Sequence, residues 1–478
     1  MKKKKNLTNI IYIVIFLAIS IVPVVAFSDK QTAIGNETKA DKPKLSDGTE
    51  LAANVDAYFA QNFGFRNRLV YVQNLLKQKV FKTSGQSEVI VGEDGWLFYG
   101  RALDDFLGTS VLGETEIERM GAVVRMMQDY VESRGGEFIF FSAPNKMSVY
   151  GEYMPYYYIE ADAQGNYELL YNELINAGVN TVQLKNVLSL KKLDGVQLYH
   201  KLDSHWNNYG AAVAYEAVAG KLAKVYGGEF GGYTDYSTMT YSVKNNFSGD
   251  LEAMLLPGSS KRDEQVEFDA DERFDYTNRF RGVDDLVITT ANESAAVDKS
   301  VTLFRDSFGN ALYWFFANEY TSLTAKREIP YNIYQAVNES ELVAVELVER
   351  NLKNLLVYTP VVPSRNLGED YFAGASVSDA DTDGTAELKL GITTTADGLL
   401  QVDGSCEELG DYAYIYLVVE GAGTYQVLPS EEGADFTLYL EGADADIFKA
   451  DFDGKVCSLV VRSDAGYVRI PVNVTLQD

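Results

Sequence analysis

Histidine is almost missing from this chain. Among 478 residues there are two, His200 and His205. Any acid–base chemistry near neutral pH that needs an imidazole must come from that one short segment. Cysteine is equally scarce. Cys406 and Cys457 are too few for a disulfide framework or a Cys-based zinc site. They either form one bridge in the C-terminal region or remain two free buried thiols. Positive charge is sparse too, with 42 Lys and Arg against 69 Asp and Glu and a net charge of −27. That balance disfavours nucleic acid, whose phosphates must be neutralised by clusters of Lys and Arg. No cofactor or resident metal is expected, and after Phe27 no stretch is apolar enough to cross a bilayer.

The first thirty residues are different. Lys2 to Lys5 precede an uncharged apolar run, Ile10 to Phe27, interrupted by Ser20 and Pro23. About twenty such residues span a hydrocarbon core, and the lysines orient the run with the N-terminus inside. The expectation is residues 1–9 cytoplasmic, a transmembrane anchor over 10–27 and a polar tether over 28–50. That places the remainder outside the cell as a single-pass membrane protein. A cleaved signal peptide is the rival reading.

Beyond residue 51 the pattern alternates between helical and strand periods. After a hairpin at Val89 to Tyr99, helices are predicted at Thr115 to Ser133 (capped by Thr115), Tyr167 to Ala177, Asn207 to Tyr226 and Phe308 to about Ala317. Strands are predicted at Glu137 to Ala143, Thr181 to Leu184, Leu286 to Thr289, Val301 to Phe304 and Asn354 to Val362. Such alternation implies an α/β sheet with helices on both faces, and active sites gather at the carboxyl ends of its strands. This domain is assigned residues 51–367, followed by a linker over 368–385. Residues 386–478 show seven short strand patterns between Gly- and Asp-rich turns, which suggests a β-sandwich separable from the rest. The acidic run Asp379-x-Asp381-x-Asp383-Gly384 has the look of a calcium loop, but position twelve is Leu390 rather than Glu. An acidic linker explains it as well.

Two motifs carry chemistry. Asp203-Ser204-His205-Trp206 places a carboxylate two residues before an imidazole, within reach of Nδ1. That arrangement fixes the tautomer and leaves Nε2 as a base. Arg305-Asp306-Ser307-Phe308-Gly309 follows an apolar strand and puts a serine hydroxyl on a turn into a helix. Each motif, alone, is also read as a helix N-cap.

The second motif resembles the nucleophile turn of SGNH-type hydrolases, usually Gly-Asp-Ser-Phe. The first resembles the Asp-x-His-Trp signature of the alginate O-acetyltransferase-like SGNH proteins, close to the Asp-His-His-Trp family of Gram-positive bacteria. Gly92-x-Asp94-Gly95-Trp96-Leu97-Phe98, Phe63-x-Phe65-Arg66 and the Pro144-x-Lys146-x-x-x-Tyr150 segment resemble the same proteins in the same order.

The resemblance covers about Leu51 to Val362. It implies an SGNH-like parallel sheet with permuted motif order. It also implies a Ser-His-Asp acyl-enzyme with Ser307 as nucleophile, His205 as base and Asp203 as its orienter. The function it implies is O-acetylation of a cell-surface or exported polysaccharide, with a multi-spanning membrane O-acyltransferase as acetyl donor. A secreted carbohydrate acetylesterase with the same triad, or a non-catalytic scaffold for polysaccharide export, are the alternatives. Asn145, Lys146 and Arg305 are candidates for the oxyanion or substrate pocket. Packing or a surface salt bridge is the other reading for Asn145 and Lys146, and Arg305 departs from the family's usual Gly.

Overall fold

The computed structural model describes residues 2–29, 39–81, 83–380, 385–431, 433–451, 456–463 and 465–477. Seven strands form the central sheet: β1 (Glu137–Ala143), β2 (Thr181–Val182), β3 (Asp275–Tyr276), β4 (Val287–Ala291), β5 (Val297–Phe304), β6 (Tyr320–Lys326) and β7 (Leu342–Val348). Their spatial order is β2-β1-β7-β5-β6-β4-β3. The first four pairings are parallel, and β4 joins β6 and β3 antiparallel at the far edge.

The alternation of side chains explains the layers. In β1, Phe138 and Phe140 face one side, where Met120, Val123, Val124 and Met127 of helix α1 (Glu114–Ser133) cover them. Ile139 and Phe141 face the other, under Ala211, Tyr215 and Val218 of α2 (Asn208–Tyr226) and Leu312 and Phe316 of α3 (Gly309–Glu319). A period of two on a strand presents both faces to apolar helices, so the strand reads as an unbroken apolar run.

Several local expectations change. Gly113, not Thr115, caps α1; its N–H is taken by the side chain of Glu116. The strand expected over Asn354 to Val362 is instead a short helix, Asn354–Val357, followed by irregular chain. Pro360 and Pro363 lack the N–H groups that a ladder needs. The sheet position belongs to β7, whose seven residues are all buried.

The expected β-sandwich is one nine-stranded sheet, curled into a barrel-like unit. The chain at 423–429 serves both ends of it. Gly423–Gln426 pairs with Ile415–Val419, and Leu428–Pro429 pairs with Asp435–Leu440. An unforeseen helix, Gly442–Asp451, packs with its core. Cys406 and Cys457 are both buried in that unit and are not joined by a disulfide. Residues 381–384 of the acidic run and 30–38 of the tether lie outside the described residues.

The expected membrane anchor is not found. Among the described residues, no helix is long and apolar enough to cross a membrane. The helix Lys2–Val25 contains Pro23 and stops short of Phe27. Its apolar part from Ile10 on is about 24 Å long, against a hydrocarbon core of ~30 Å. Its end is tied to the next helix instead: Gly64 N–H donates to Pro23 O (2.7 Å), and Phe27 stacks on Phe59 at 5.9 Å. The single-pass placement is withdrawn on this ground.

The barrel-like unit shares a hydrophobic cluster with the α/β domain, in which Leu399, Leu428 and Tyr439 meet α1 residues such as Met120 and Val123. Arg119 of α1 is 1% exposed. Its Nε donates to Tyr412 O (2.9 Å) and its guanidinium reaches Glu431 O (3.3 Å). Deleting the chain from Ser376 onward would uncover this face, so the unit is not expected to be freely removable. Arg119→Ala strands those carbonyls, and a loss of roughly 2–4 kcal/mol in unfolding free energy is expected. Urea denaturation of the full chain checks it; an unchanged midpoint would mean that the contact is not stabilising.

Candidate active site

The Ser307 turn begins where β5 ends. Asp306 organises it: Oδ1 accepts Phe308 N–H (2.8 Å), and Oδ2 accepts Val348 N–H (2.9 Å) from the end of β7. The Asp306 N–H donates to the carboxyl of Glu346 (3.0 Å), a residue fully buried in β7. Burial and the neighbouring Asp306 push the Glu346 carboxyl, which sits beneath the turn, well above its ordinary pKa. Gly309 is required for space, because a Cβ there would lie 2.5 Å from that of Arg305. The outcome is a serine hydroxyl lifted off the end of a parallel strand.

The histidine loop is a tight reversal. Tyr199 bridges Trp206, and Asn207 N–H donates to Leu198 O (2.9 Å). Asn207 then caps α2 by accepting Gly210 N–H (2.9 Å). Trp206 is a buried strut: its Nε1–H donates to Phe308 O (2.9 Å) and its ring meets Phe308 edge-on. This hydrogen bond is one of the contacts that join the histidine loop to the serine turn.

The structure brings Asp203, His205 and Ser307 together. The Ser307 hydroxyl lies 2.7 Å from His205 Nε2, and His205 Nδ1 lies 2.6 Å from Asp203 Oδ1. The same Asp203 oxygen accepts the backbone N–H of His205 (2.9 Å). Burial pulls the His205 pKa down, but the facing carboxylates of Asp203 and, further off, Asp250 outweigh it, and the net shift is upward. Burial opposes ionisation of Asp203 as well, yet the two imidazoles and the hydrogen bonds hold its carboxylate below the ordinary range. Asp203, His205 and Asp250 cluster closely enough to suggest a metal centre. The short Nδ1–Asp203 bond, however, occupies the ring nitrogen that such an ion would need.

His200 does not join this chain. Its Nδ1 lies 2.9 Å from Glu264 O and its ring stacks on Phe247 at 3.8 Å; burial pulls its pKa down. The three further pocket candidates lie off the cleft. Asn145 is 1% exposed and donates to Asp105 (3.0 Å) through its side chain and to Glu349 (2.7 Å) through its backbone. Arg305 points into the wall, where its guanidinium donates to Val283 O (3.0 Å) and Asp285 O (2.9 Å). Lys146 is buried behind the histidine loop and donates to His200 O (2.8 Å), Lys201 O (3.1 Å) and Asp203 O (2.7 Å). Each is held by packing against its own partners, so none faces a reacting group.

The triad residues line a cleft of about 1020 Å³. Arg350 and Asp250 are among the lining residues that the sequence did not point to. Arg350 carries a cation 5.5 Å from the Phe308 ring and 5.2 Å from that of Tyr99. Asp250 approaches His205 Nδ1 to 3.9 Å. Neither belongs to a recognisable motif; both arrive from distant segments, and only hydrophobic patterning hinted at their surroundings.

Residues 89–301 match the family model described as "SGNH hydrolase-like domain, acetyltransferase AlgX". Over those residues the chain is similar to SGNH hydrolase-like acetyltransferase domains of the AlgX type. The "Probable alginate O-acetylase AlgJ" of Pseudomonas putida is 23% identical over 175 residues, covering 37% of this chain and 44% of that protein. The chain spans about half the length of the curated relatives it matches. Solved structures are similar as well. The O-acetyltransferase domain of Pseudomonas putida AlgJ has a TM-score of 0.38 at 19% identity, covering 56% of this chain and 93% of that one. A DHHW family protein from Eubacterium siraeum has a TM-score of 0.40 at 15% identity, covering 56% and 92%.

Within the SGNH-like domain, Lys146 gives the loop its shape. Three carbonyls converge on one ammonium, whose pKa burial pulls down to about 7 against the pull of Asp203, Asp250 and Asp263. Lys146→Met removes all three donors, each a charged hydrogen bond worth enough that about a ten- to hundredfold fall in kcat on a model acetyl ester is expected. Turnover equal to that of the unchanged chain would show that the loop holds its geometry without the cation.

Proposed function

We propose that this chain is an O-acetyltransferase that modifies a polysaccharide through an acetyl-serine intermediate. The observation that carries the reading is the unbroken Ser307–His205–Asp203 chain, with contacts of 2.7 and 2.6 Å, on the wall of an open cleft. Ser307 Oγ attacks the acetyl carbonyl while Nε2 takes its proton. The imidazolium that results is stabilised by Asp203 and returns the proton to the departing alcohol. A sugar hydroxyl then gives its proton to Nε2 and attacks the acetyl-serine carbonyl; the acyl–Oγ bond breaks, Ser307 Oγ takes the proton back from Nε2, and the sugar ester leaves.

The Ser307 N–H has no acceptor among the described residues and is offered to the oxyanion, whereas the Phe308 N–H is already taken by Asp306. Arg350 supplies a cation on the same wall. A multi-spanning membrane O-acyltransferase as acetyl donor rests on the family resemblance alone.

Ser307→Ala and His205→Ala are each expected to abolish acetyl transfer from 4-nitrophenyl acetate, by roughly 10⁴–10⁶-fold, with the double variant little worse than either. Asp203→Asn is expected to be less severe than either, because the base remains but loses its orientation. His200→Ala should keep most activity. The rate should fall on the acid side as His205 gains a proton. Because Asp203 raises that pKa, the fall begins above the ordinary histidine value. Acetylated oligosaccharide in the products, resolved by mass spectrometry, separates transfer from simple hydrolysis. Release of acetate alone, with every glycan acceptor tried, would assign an esterase instead.

A further inference from the structure

The Asp203–His205 pair is itself clamped by a second carboxylate. The turn at 249–252 is pressed against the histidine loop so closely that a Cβ on Gly249 would lie 2.2 Å from Leu202 O. Glu252 N–H donates to the same carbonyl (3.0 Å). From this turn, the Asp250 N–H donates to Asp203 Oδ2 (2.7 Å). Asp203 therefore has one oxygen bound to His205 and the other to Asp250, and its carboxylate plane cannot rotate. The Asp250 side chain completes the clamp: Oδ1 accepts Ser204 N–H (2.8 Å) and Oδ2 accepts the Ser204 hydroxyl (2.6 Å). That hydroxyl oxygen lies 3.2 Å from His205 Nδ1, and Asp250 Oδ2 lies 3.9 Å from it.

We propose that Asp250 is a positioning residue of the triad, a second carboxylate that holds Asp203 and Ser204 in place and makes His205 a stronger base through its charge. The proposal rests on the reading of Ser307, His205 and Asp203 given above. Asp250 lies on the Nδ1 side of the ring, away from the reacting Nε2. A negative charge there favours the imidazolium that forms when Ser307 loses its proton. The other charged and titratable groups around the pair are Asp203, which acts in the same sense, and Arg350, which opposes it. His200, Lys146 and Asp263 stand behind the loop. Burial and the nearby Asp203 raise Asp250 itself to about 6. Its charge is thus present at neutral pH and lost on mild acidification.

The test is the pH dependence of kcat/KM for 4-nitrophenyl acetate with the full chain. Asp250→Asn should lower the rate about tenfold, the size of one charged hydrogen bond. Its acid limb should move to lower pH, because removing a nearby negative charge disfavours the imidazolium. Ser204→Ala keeps the charge, so its limb should stay while the rate falls modestly, and Asp250→Glu should return the limb towards the original. An unmoved limb in Asp250→Asn would leave Asp250 a structural role only and overturn the proposal, as would an unchanged rate. Should Asp250→Asn fail to fold, the unaltered chain still decides. With only two histidines, the His205 ring proton can be followed by NMR, and its titration should show a second inflection as Asp250 protonates; a one-proton curve overturns the proposal. Turnover surviving in Ser307→Ala would instead sink the triad reading, whatever Asp250 does.

Discussion

The hydrogen bond from Trp206 Nε1–H to Phe308 O is the contact on which the site depends. It joins two segments about a hundred residues apart and sets the His205 imidazole over the Ser307 hydroxyl. Neither segment has this geometry alone. The serine turn is shaped by Asp306 reaching across to β7, and the histidine loop by Lys146 from behind. Remove the indole donor and a buried carbonyl is left without its partner, so the fault would be felt at both ends.

Charges of both signs meet at the site. The protein carries −27, yet the histidine loop is anchored by a buried cation, and Arg350 sits on the cleft wall. Carboxyl groups are shifted in opposite directions within a short distance. Donors and imidazoles hold that of Asp203 below its ordinary range, whereas burial pushes that of Glu346 well above it. The first faces the His205 ring, and the second accepts a backbone N–H beneath the serine. Environment, not residue type, makes that division.

The barrel-like unit is not a passenger. It covers the outer face of α1, whose inner face covers the sheet that ends in the Ser307 turn. A helix with apolar residues on both sides needs two layers. Arg119, buried among main-chain carbonyls of the barrel-like unit, fixes how those layers meet.

Much of this was legible in the chain itself. The apolar run of β1, the helix stops, the two chemistry-bearing motifs and nearly all the C-terminal strands follow from periodicity and from the scarcity of histidine, because these signals are local. What the sequence could not settle was closure and partnership. Whether seven short strands make two sheets or one curled sheet depends on strand 423–429 serving both ends. The sheet place of Leu342–Val348 was obscured by Glu346, a carboxyl that is tolerated in a core only because Asp306 meets it there. Asn145 and Lys146 lie beside a strand end, as catalytic groups often do, yet their side chains turn away from the cleft. The sequence by itself determined which residue types could act, since only one histidine has a carboxylate two places before it. Only the tertiary structure decided which distant groups, Asp250 and Arg350 among them, surround that histidine, because contacts between segments far apart in the chain leave no local pattern to read.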